Sequence, residues 1–296
     1  MFPELVSFDY YVLSLVQTLQ SPFMDSVMDG VSFIGNPIFW MLIAAIIYWL
    51  GKANESFYLM NIILFSSAVV GALKISIGRM RPSSEIFRVV VTDTYLPYSF
   101  PSGHATLTSA ALHHLGVFVK SNIRIIFAFV IVSVAFSRIY LGAHFLTDVV
   151  AGIILGIIIG ELNFKLIEKV RNSNYRLSKL QDEIIVVGLV LVAIVMALFV
   201  SSIPLIAVLL GFYTGFFWSR ETQLYKNWKI ENGFRRNAIK LMWGFMGLGL
   251  LALFVLYVPD VFLFGFDLNY IAYFIGGLWI SFIYPEAYQH FFRKLI

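Results

Sequence analysis

Nine apolar stretches recur along this chain, at about 35–51, 57–77, 103–119, 124–141, 145–164, 184–201, 203–219, 238–257 and 264–284. Each is near the roughly 20 residues that an α-helix needs to cross a bilayer. Inside hydrocarbon every backbone N–H and C=O must be paired within its own segment, so runs of this kind are helices. Only 13% of the residues are charged, against roughly 25% in a soluble domain. The expected fold is therefore all-α: a polytopic membrane bundle of about nine transmembrane helices, with eight to ten as the range. Residues 4–30 mix Phe8, Tyr11 and Leu15 with Glu4, Asp9, Gln17, Asp25 and Asp29 and hold no 18-residue apolar run. They read as one or two short helices lying in the membrane interface ahead of the bundle. The N-terminus also lacks a basic segment of the secretory type, so the first spans are expected to direct insertion.

One connection is long and hydrophilic, 165–183 (KLIEKVRNSNYRLSKLQDE). It suggests a boundary, with residues 1–170 as a front membrane core and 171–296 as an extension of about four helices. The basic residues give an orientation. With these spans, sixteen of the 21 Lys and Arg residues fall in connections on one side, among them Lys120, Arg124, Lys165, Arg171, Arg220, Arg235 and Arg236. The positive-inside rule makes that side cytoplasmic. Lys74, Arg79, Arg81, Arg88 and Arg138 lie at or beside the opposite face, and their clustering points to a site there. Because the basic residues otherwise sit between spans, the net charge of +4 gives no indication of nucleic acid. The absence of cysteine excludes thiolate ligands and cysteine nucleophiles.

Three pieces of sequence reach that outer face. Lys74 and Arg81 are seven residues apart, so a helix running through both would align them, with Pro82 marking its exit. Pro101, Ser102, Gly103 and His104 open the third span. A Ser at a helix start, together with freed backbone N–H groups and the helix dipole, makes an anion seat. The stretch Ser137 to Asp148 sits between two apolar runs, where ionisable side chains are costly without work or partners. Within it, His144 and Asp148 are four apart on one helical face, so the carboxylate can hold one imidazole nitrogen while the other faces a substrate. Arg138 is a fork-shaped anion clamp. Three cations and a helix N-terminus imply a multiply charged oxyanion, most simply phosphate. Two histidines beside it imply proton transfer or nucleophilic attack at phosphorus.

The set Lys74-(six residues)-Arg81-Pro82, Pro101-Ser102-Gly103-His104 and Ser137-Arg138-(five residues)-His144-(three residues)-Asp148 resembles the three-part signature of the type 2 phosphatidic acid phosphatase superfamily, in its membrane-bound lipid phosphatase branch. The resemblance covers about residues 20–165. It implies that His144 is a nucleophile forming a phosphohistidine, that Asp148 orients it, and that His104 is the general acid. It further implies that Lys74, Arg81, Ser102, the Gly103 amide and Arg138 hold the phosphoryl oxygens, with no metal and no cofactor required. The implied activity is hydrolysis of a lipid phosphate monoester or diphosphate at the extracytoplasmic face, the lipid tail staying in the bilayer.

Other readings attach to the same residues. A sugar-phosphate phosphatase shares the nine-helix outline, and a phospholipid transporter would use the same pocket for binding alone. Two histidines and a carboxylate suit zinc or iron, but three cations aimed at one point oppose a dication. Arg79 reads equally as a phosphate contact or as an interfacial charge. Arg88, Glu85 and Asp93 read as a solvated loop, and His113 and His114 as packing residues. Gly152, Gly156 and Gly160 read as a close-packing helix face. The four rear helices are open to dimer contact, a substrate groove or packing, and the sequence does not identify the lipid.

Overall fold

The computed structural model describes residues 3–90, 96–172, 188, 203–222, 224, 228–257, 262–263, 266–267 and 269–291. Of these, 3–40 and 61–172 belong to one compact unit, and 41–60 with the residues from 203 onward to a second. Apart from residue 188, the predicted span at 184–201 lies outside the described residues, as does Asp93.

In chain order the helices are α1 (Pro3–Gln17), α2 (Pro22–Phe33), α3 (Pro37–Trp49), α4 (Ala53–Ile77), α5 (Gly103–Gly116), α6 (Ser121–Tyr140), α7 (Leu146–Asn172), α8 (Ile203–Glu221) and α9 (Phe234–Tyr257). A two-residue antiparallel pairing of Phe262–Leu263 with Phe266–Asp267 follows. The chain then forms α10 (Asn269–Leu278), a π-helical turn at Trp279–Ile283 and α11 (Tyr284–His290). Five helices, α4, α6, α7, α8 and α9, are long and apolar enough to cross a membrane; a sixth span results if α2 and α3, bent by 51°, count as one. The expected count of nine is thus not reproduced among the described residues. Apolar run length does not reveal where a helix stops. α5 has 14 residues and α3 has 13, and the 264–284 run is divided by the π-turn before Pro285.

The spans turn apolar side chains outward. On α6, Ile125, Phe129 and Val132 are exposed, whereas Val134, Ser137 and Arg138 are buried. On α9, Leu250, Leu253 and Phe254 are exposed. Such surface suits lipid as solvent, and the chain is an integral membrane protein.

The glycine reading of α7 holds. A Cβ on Gly152 would lie 2.7 Å from the Ser102 carbonyl oxygen, one on Gly156 2.3 Å from that of Thr106, and one on Gly160 2.6 Å from that of Ala110. One face of α7 therefore lies directly on the backbone of α5. Gly156→Ala must push two helices apart, a form of overpacking that costs about 1–3 kcal/mol. The expected outcome is a lower Tm for the detergent-solubilised protein.

The first unit's apolar floor is built by Leu13 of α1, Phe87, Ala105 of α5, Ala135 and Ile139 of α6, and Phe145 and Val149. Tyr10 stacks on Phe145 with centroids 5.5 Å apart and meets Phe87 edge-on at 5.0 Å. The helix α1, expected in the interface, is thus fastened to this core.

In the second unit, indole and phenol groups bond to helix backbones. Tyr48 donates to the Ser281 carbonyl (2.7 Å), Trp49 to that of Ile280 (3.0 Å) and Trp228 to that of Tyr48 (2.8 Å). Lys240 is fully buried, 3.6 Å from the Trp228 ring centre, and donates to the Lys229 carbonyl at 2.8 Å. Close packing of α8 on α10 uses Gly211 against Phe274 and Gly277 against Val208.

Candidate active site

Helix α4 delivers Lys74 in its last turn and then stops. Gly78, at φ +65°, donates to the Lys74 carbonyl at 2.9 Å and turns the chain, the left-handed cap that glycine adopts without strain. Lys74 and Arg81 therefore do not share a helix, contrary to expectation. Arg81 arrives on the loop that follows, where its N–H bonds to the Pro97 carbonyl (3.3 Å) and its Nε to that of Leu96 (3.1 Å). The two cations converge because the loop folds back. Lys74 Nζ donates to the carbonyls of Tyr98 (2.7 Å) and Ser99 (3.0 Å).

Ser102 caps α5, its hydroxyl accepting from the Ala105 N–H at 3.5 Å, while its own N–H donates to the Asp148 carbonyl at 3.0 Å. Gly103 and His104 begin the helix, so their N–H groups point out of its N-terminus. His104 lies within electrostatic reach of Arg138, His144, Arg81 and Lys74. Gly35 presses on it: a Cβ there would fall 2.6 Å from His104 Cβ.

Arg138 ends α6. It is 4% exposed and its Nη1 donates to the Ser32 hydroxyl of α2. Its carbonyl accepts from the N–H groups of Ala143 (3.0 Å) and His144 (3.2 Å), so one residue fixes both a guanidinium and the neighbouring histidine backbone. The intervening turn is made by Gly142, at φ +72°, where a Cβ would lie 2.2 Å from the Arg88 carbonyl oxygen. A side chain there would be strained and would collide with the loop that carries Arg81.

His144 is 2% exposed. Its Nε2 lies 3.3 Å from Arg81 Nη1, which also donates to the Ala143 carbonyl at 2.9 Å. Its Nδ1 lies 3.5 Å from Asp148 Oδ2. Burial, and then the positive charges of Arg81, Lys74 and Arg138, hold the imidazole well below the usual histidine range. Burial also lowers Arg81, to about 10, a value at which it is still a cation at neutral pH. All eight sequence-predicted residues, Lys74, Arg81, Ser102, Gly103, His104, Arg138, His144 and Asp148, thus belong to one neighbourhood of the first unit.

Several residues there were not anticipated. Arg79, which reads equally as a phosphate contact or an interfacial charge, is held between two carboxylates. Its side chain is 8% exposed, its Nη1 donating to Asp148 Oδ1 and its Nη2 to Asp9 Oδ2, each at 2.7 Å; Nη1 also donates to the Thr147 hydroxyl, and the guanidinium lies 4.4 Å above the Phe145 ring. Asp9, fully buried, also accepts from the Thr147 N–H at 2.9 Å and from its hydroxyl. Ser99 is buried with its backbone beside His144 and its hydroxyl beside Asp148. Arg88, expected as a solvated loop residue, pairs with both Asp25 oxygens and is about 39% exposed. His113 pairs with Glu161 at 3.0 Å, and His114 is buried.

A PAP2 superfamily model matches residues 55–172, and a model of the PAP2 superfamily phosphatase transmembrane extension matches 203–294. Phosphatidylglycerophosphatase B of Bacillus subtilis is 27% identical over 155 residues, covering 48% of this chain and 74% of that protein. Lipid phosphate phosphatase delta of Arabidopsis thaliana is 23% identical over 160 residues, covering 49% of this chain and 38% of that protein. Among solved structures, a transmembrane PAP2-type phosphatidylglycerolphosphate phosphatase from Bacillus subtilis aligns with a TM-score of 0.49 at 27% identity. That alignment covers 58% of this chain and 90% of that one.

Proposed function

Because this chain belongs to the PAP2 superfamily and is a phosphoric-ester hydrolase of that type, we propose that it removes phosphate from a membrane lipid through a phosphohistidine on His144. The observation that carries this reading is the placement of a buried imidazole between a cation and a carboxylate. His144 Nε2 faces Arg81 while Nδ1 faces Asp148. The nitrogen on the cation side is the one that meets an oxyanion.

In the first step His144 Nε2 attacks phosphorus and the bond from phosphorus to the leaving oxygen breaks. His104 gives its proton to that oxygen. In the second step water attacks the phosphoryl group, His104 takes a proton from it, the P–N bond breaks and inorganic phosphate leaves. Asp148, with Oδ2 3.5 Å from Nδ1, orients the ring and balances the positive charge that the imidazole acquires. Lys74, Arg81, Arg138, the Ser102 hydroxyl and the Gly103 N–H stabilise the charge on the transferring group. Three fixed cations supply the charge that a metal ion supplies in other phosphoryl-transfer sites, so activity is expected to persist in chelator.

In this reading residues 1–170 carry the chemistry and 171–296 extend the membrane part. The distribution of basic residues supports a site at the extracytoplasmic face. A lipid substrate is favoured by the site's position at the ends of apolar helices, where the phosphate reaches His144 with its tail in the bilayer. The test is phosphate release from phosphatidate, phosphatidylglycerophosphate, a sphingoid phosphate, a polyprenyl diphosphate and a sugar phosphate by one preparation. Release from one or more lipids supports the proposal; release from the sugar phosphate alone, or from none, contradicts it.

The charge environment of His144 also gives a pH dependence. The nucleophile is the unprotonated imidazole, present above its pKa and lost as pH falls through it. Burial and the three cations lower that pKa, while a hydrogen bond with the Ser99 backbone opposes them. The acid limb of kcat/KM set by His144 is therefore expected well below pH 6.5. Arg81→Gln removes one cation, so this limb should move upward toward 6.5. Comparing both proteins on one substrate cancels the substrate's own ionisation.

A further inference from the structure

Resting on the phosphatase reading, we propose that Asp9 and Arg79 are positioning residues, which fix Asp148 and through it the aim of His144. The catalytic machinery would then extend to α1, a helix that lies ahead of the matched PAP2 segment beginning at residue 55.

A helix leaves its first N–H groups without intrahelical partners. Here Asp148, third residue of α7, reaches back to accept from the Phe145 N–H at 2.9 Å with Oδ2, the oxygen that faces His144. Thr147, second residue of the helix, donates its N–H to Asp9, 138 positions away in sequence. The cap of the helix that bears Asp148 is therefore supplied from α1.

Arg79 joins the two carboxylates. Its Nη1 takes Asp148 Oδ1 and its Nη2 takes Asp9 Oδ2. With Oδ1 tied to Arg79 and Oδ2 tied to Phe145, the Asp148 carboxylate cannot rotate, and Oδ2 is the oxygen presented to His144 Nδ1. Arg79 is itself clamped by Asp9 on one side and by the face of Phe145 beneath it. None of these bonds goes to the phosphate seat, which is furnished by Lys74, Arg81, Ser102 and Arg138. Disturbing the clamp should thus alter turnover and leave substrate binding nearly intact. Displacement of a reacting group by about 1 Å from a distant change can cost about 10²-fold.

The test is a double-mutant cycle with Asp9→Asn and Asp148→Asn, with kcat and KM read on the full-length protein. The Asn is isosteric and leaves Thr147 an acceptor, but it loses the charge that holds Arg79. Asp9→Asn alone is expected to lower kcat about 10- to 100-fold with KM within about twofold of wild type. In the Asp148→Asn background the same change is expected to alter kcat less than about twofold, because the group it acts through is already gone. Arg79→Lys keeps a cation between the carboxylates but loses the fork, and is expected to fall between wild type and Arg79→Gln. If Asp9→Asn does not fold, that Arg79 pair in the Asp148→Asn background makes the same cycle. Equal factors in both backgrounds, or Asp9→Asn indistinguishable from wild type, overturn the inference while leaving the phosphatase reading intact. A wild-type protein that releases no phosphate overturns both.

Discussion

His144→Ala is expected to lower phosphate release by at least about 10³-fold, with the protein still folded. The expectation follows from the two-step route, since without the imidazole there is no atom to accept the phosphoryl group. Residual hydrolysis would come only from the remaining cations and the bound water. Removing a nucleophile in this way typically eliminates most of an enzyme's acceleration, and further removal of its partners then costs little. His144→Ala combined with Asp148→Asn should therefore be hardly slower than His144→Ala alone. Initial rates on one lipid phosphate, with Tm measured on the same samples, check both expectations. A His144→Ala protein within tenfold of wild type would mean that another group accepts the phosphate.

Arg138→Leu is expected to lower kcat/KM by about 10²- to 10³-fold, the usual loss when one donor to a developing oxyanion is removed. Arg138 is buried at the end of α6 with one N–H tied to Ser32, so its remaining donors are aimed rather than free to search. Arg138→Lys should recover only part of the loss, because an ammonium cannot hold Ser32 and present a planar fork to phosphate together. A Ser32→Ala change should reduce activity less than Arg138→Leu, since it loosens the guanidinium without removing it. Steady-state kinetics on the three variants rank them, and a Lys variant equal to wild type would assign Arg138 a plain charge role.

What could be read from the sequence were the parts with short-range spacing. His144 and Asp148 are one helical turn apart, Ser102 stands at a helix start, and Arg138 precedes His144 by six residues. In each case the local geometry places the groups before any packing is known. Arg81 reaches Lys74 by a route that its spacing did not show, since Gly78 ends α4 and a loop, not a helix, returns the guanidinium. Asp9 was not legible. On a short mixed helix a carboxylate reads as interfacial whether it faces water or plugs a buried cation, and only its contact with Thr147 and Arg79 distinguishes these. Ser32 and Ser99 were missed because a serine in an apolar run carries no spacing signal of its own. The helix count differs because the length of an apolar run bounds a helix from above. It does not show that α5 stops at Gly116 or that a π-turn divides the 264–284 run.

The central claim is that phosphate passes through His144, and rapid quench after mixing with a ³²P-labelled lipid phosphate tests it directly. The wild-type protein is expected to carry label that is stable in alkali and lost in acid, as a phosphoramidate is, on the peptide containing His144. His104→Ala, which lacks the group that activates water, should hold that label longer. Label on a different residue, or none during turnover at full rate, would contradict the account.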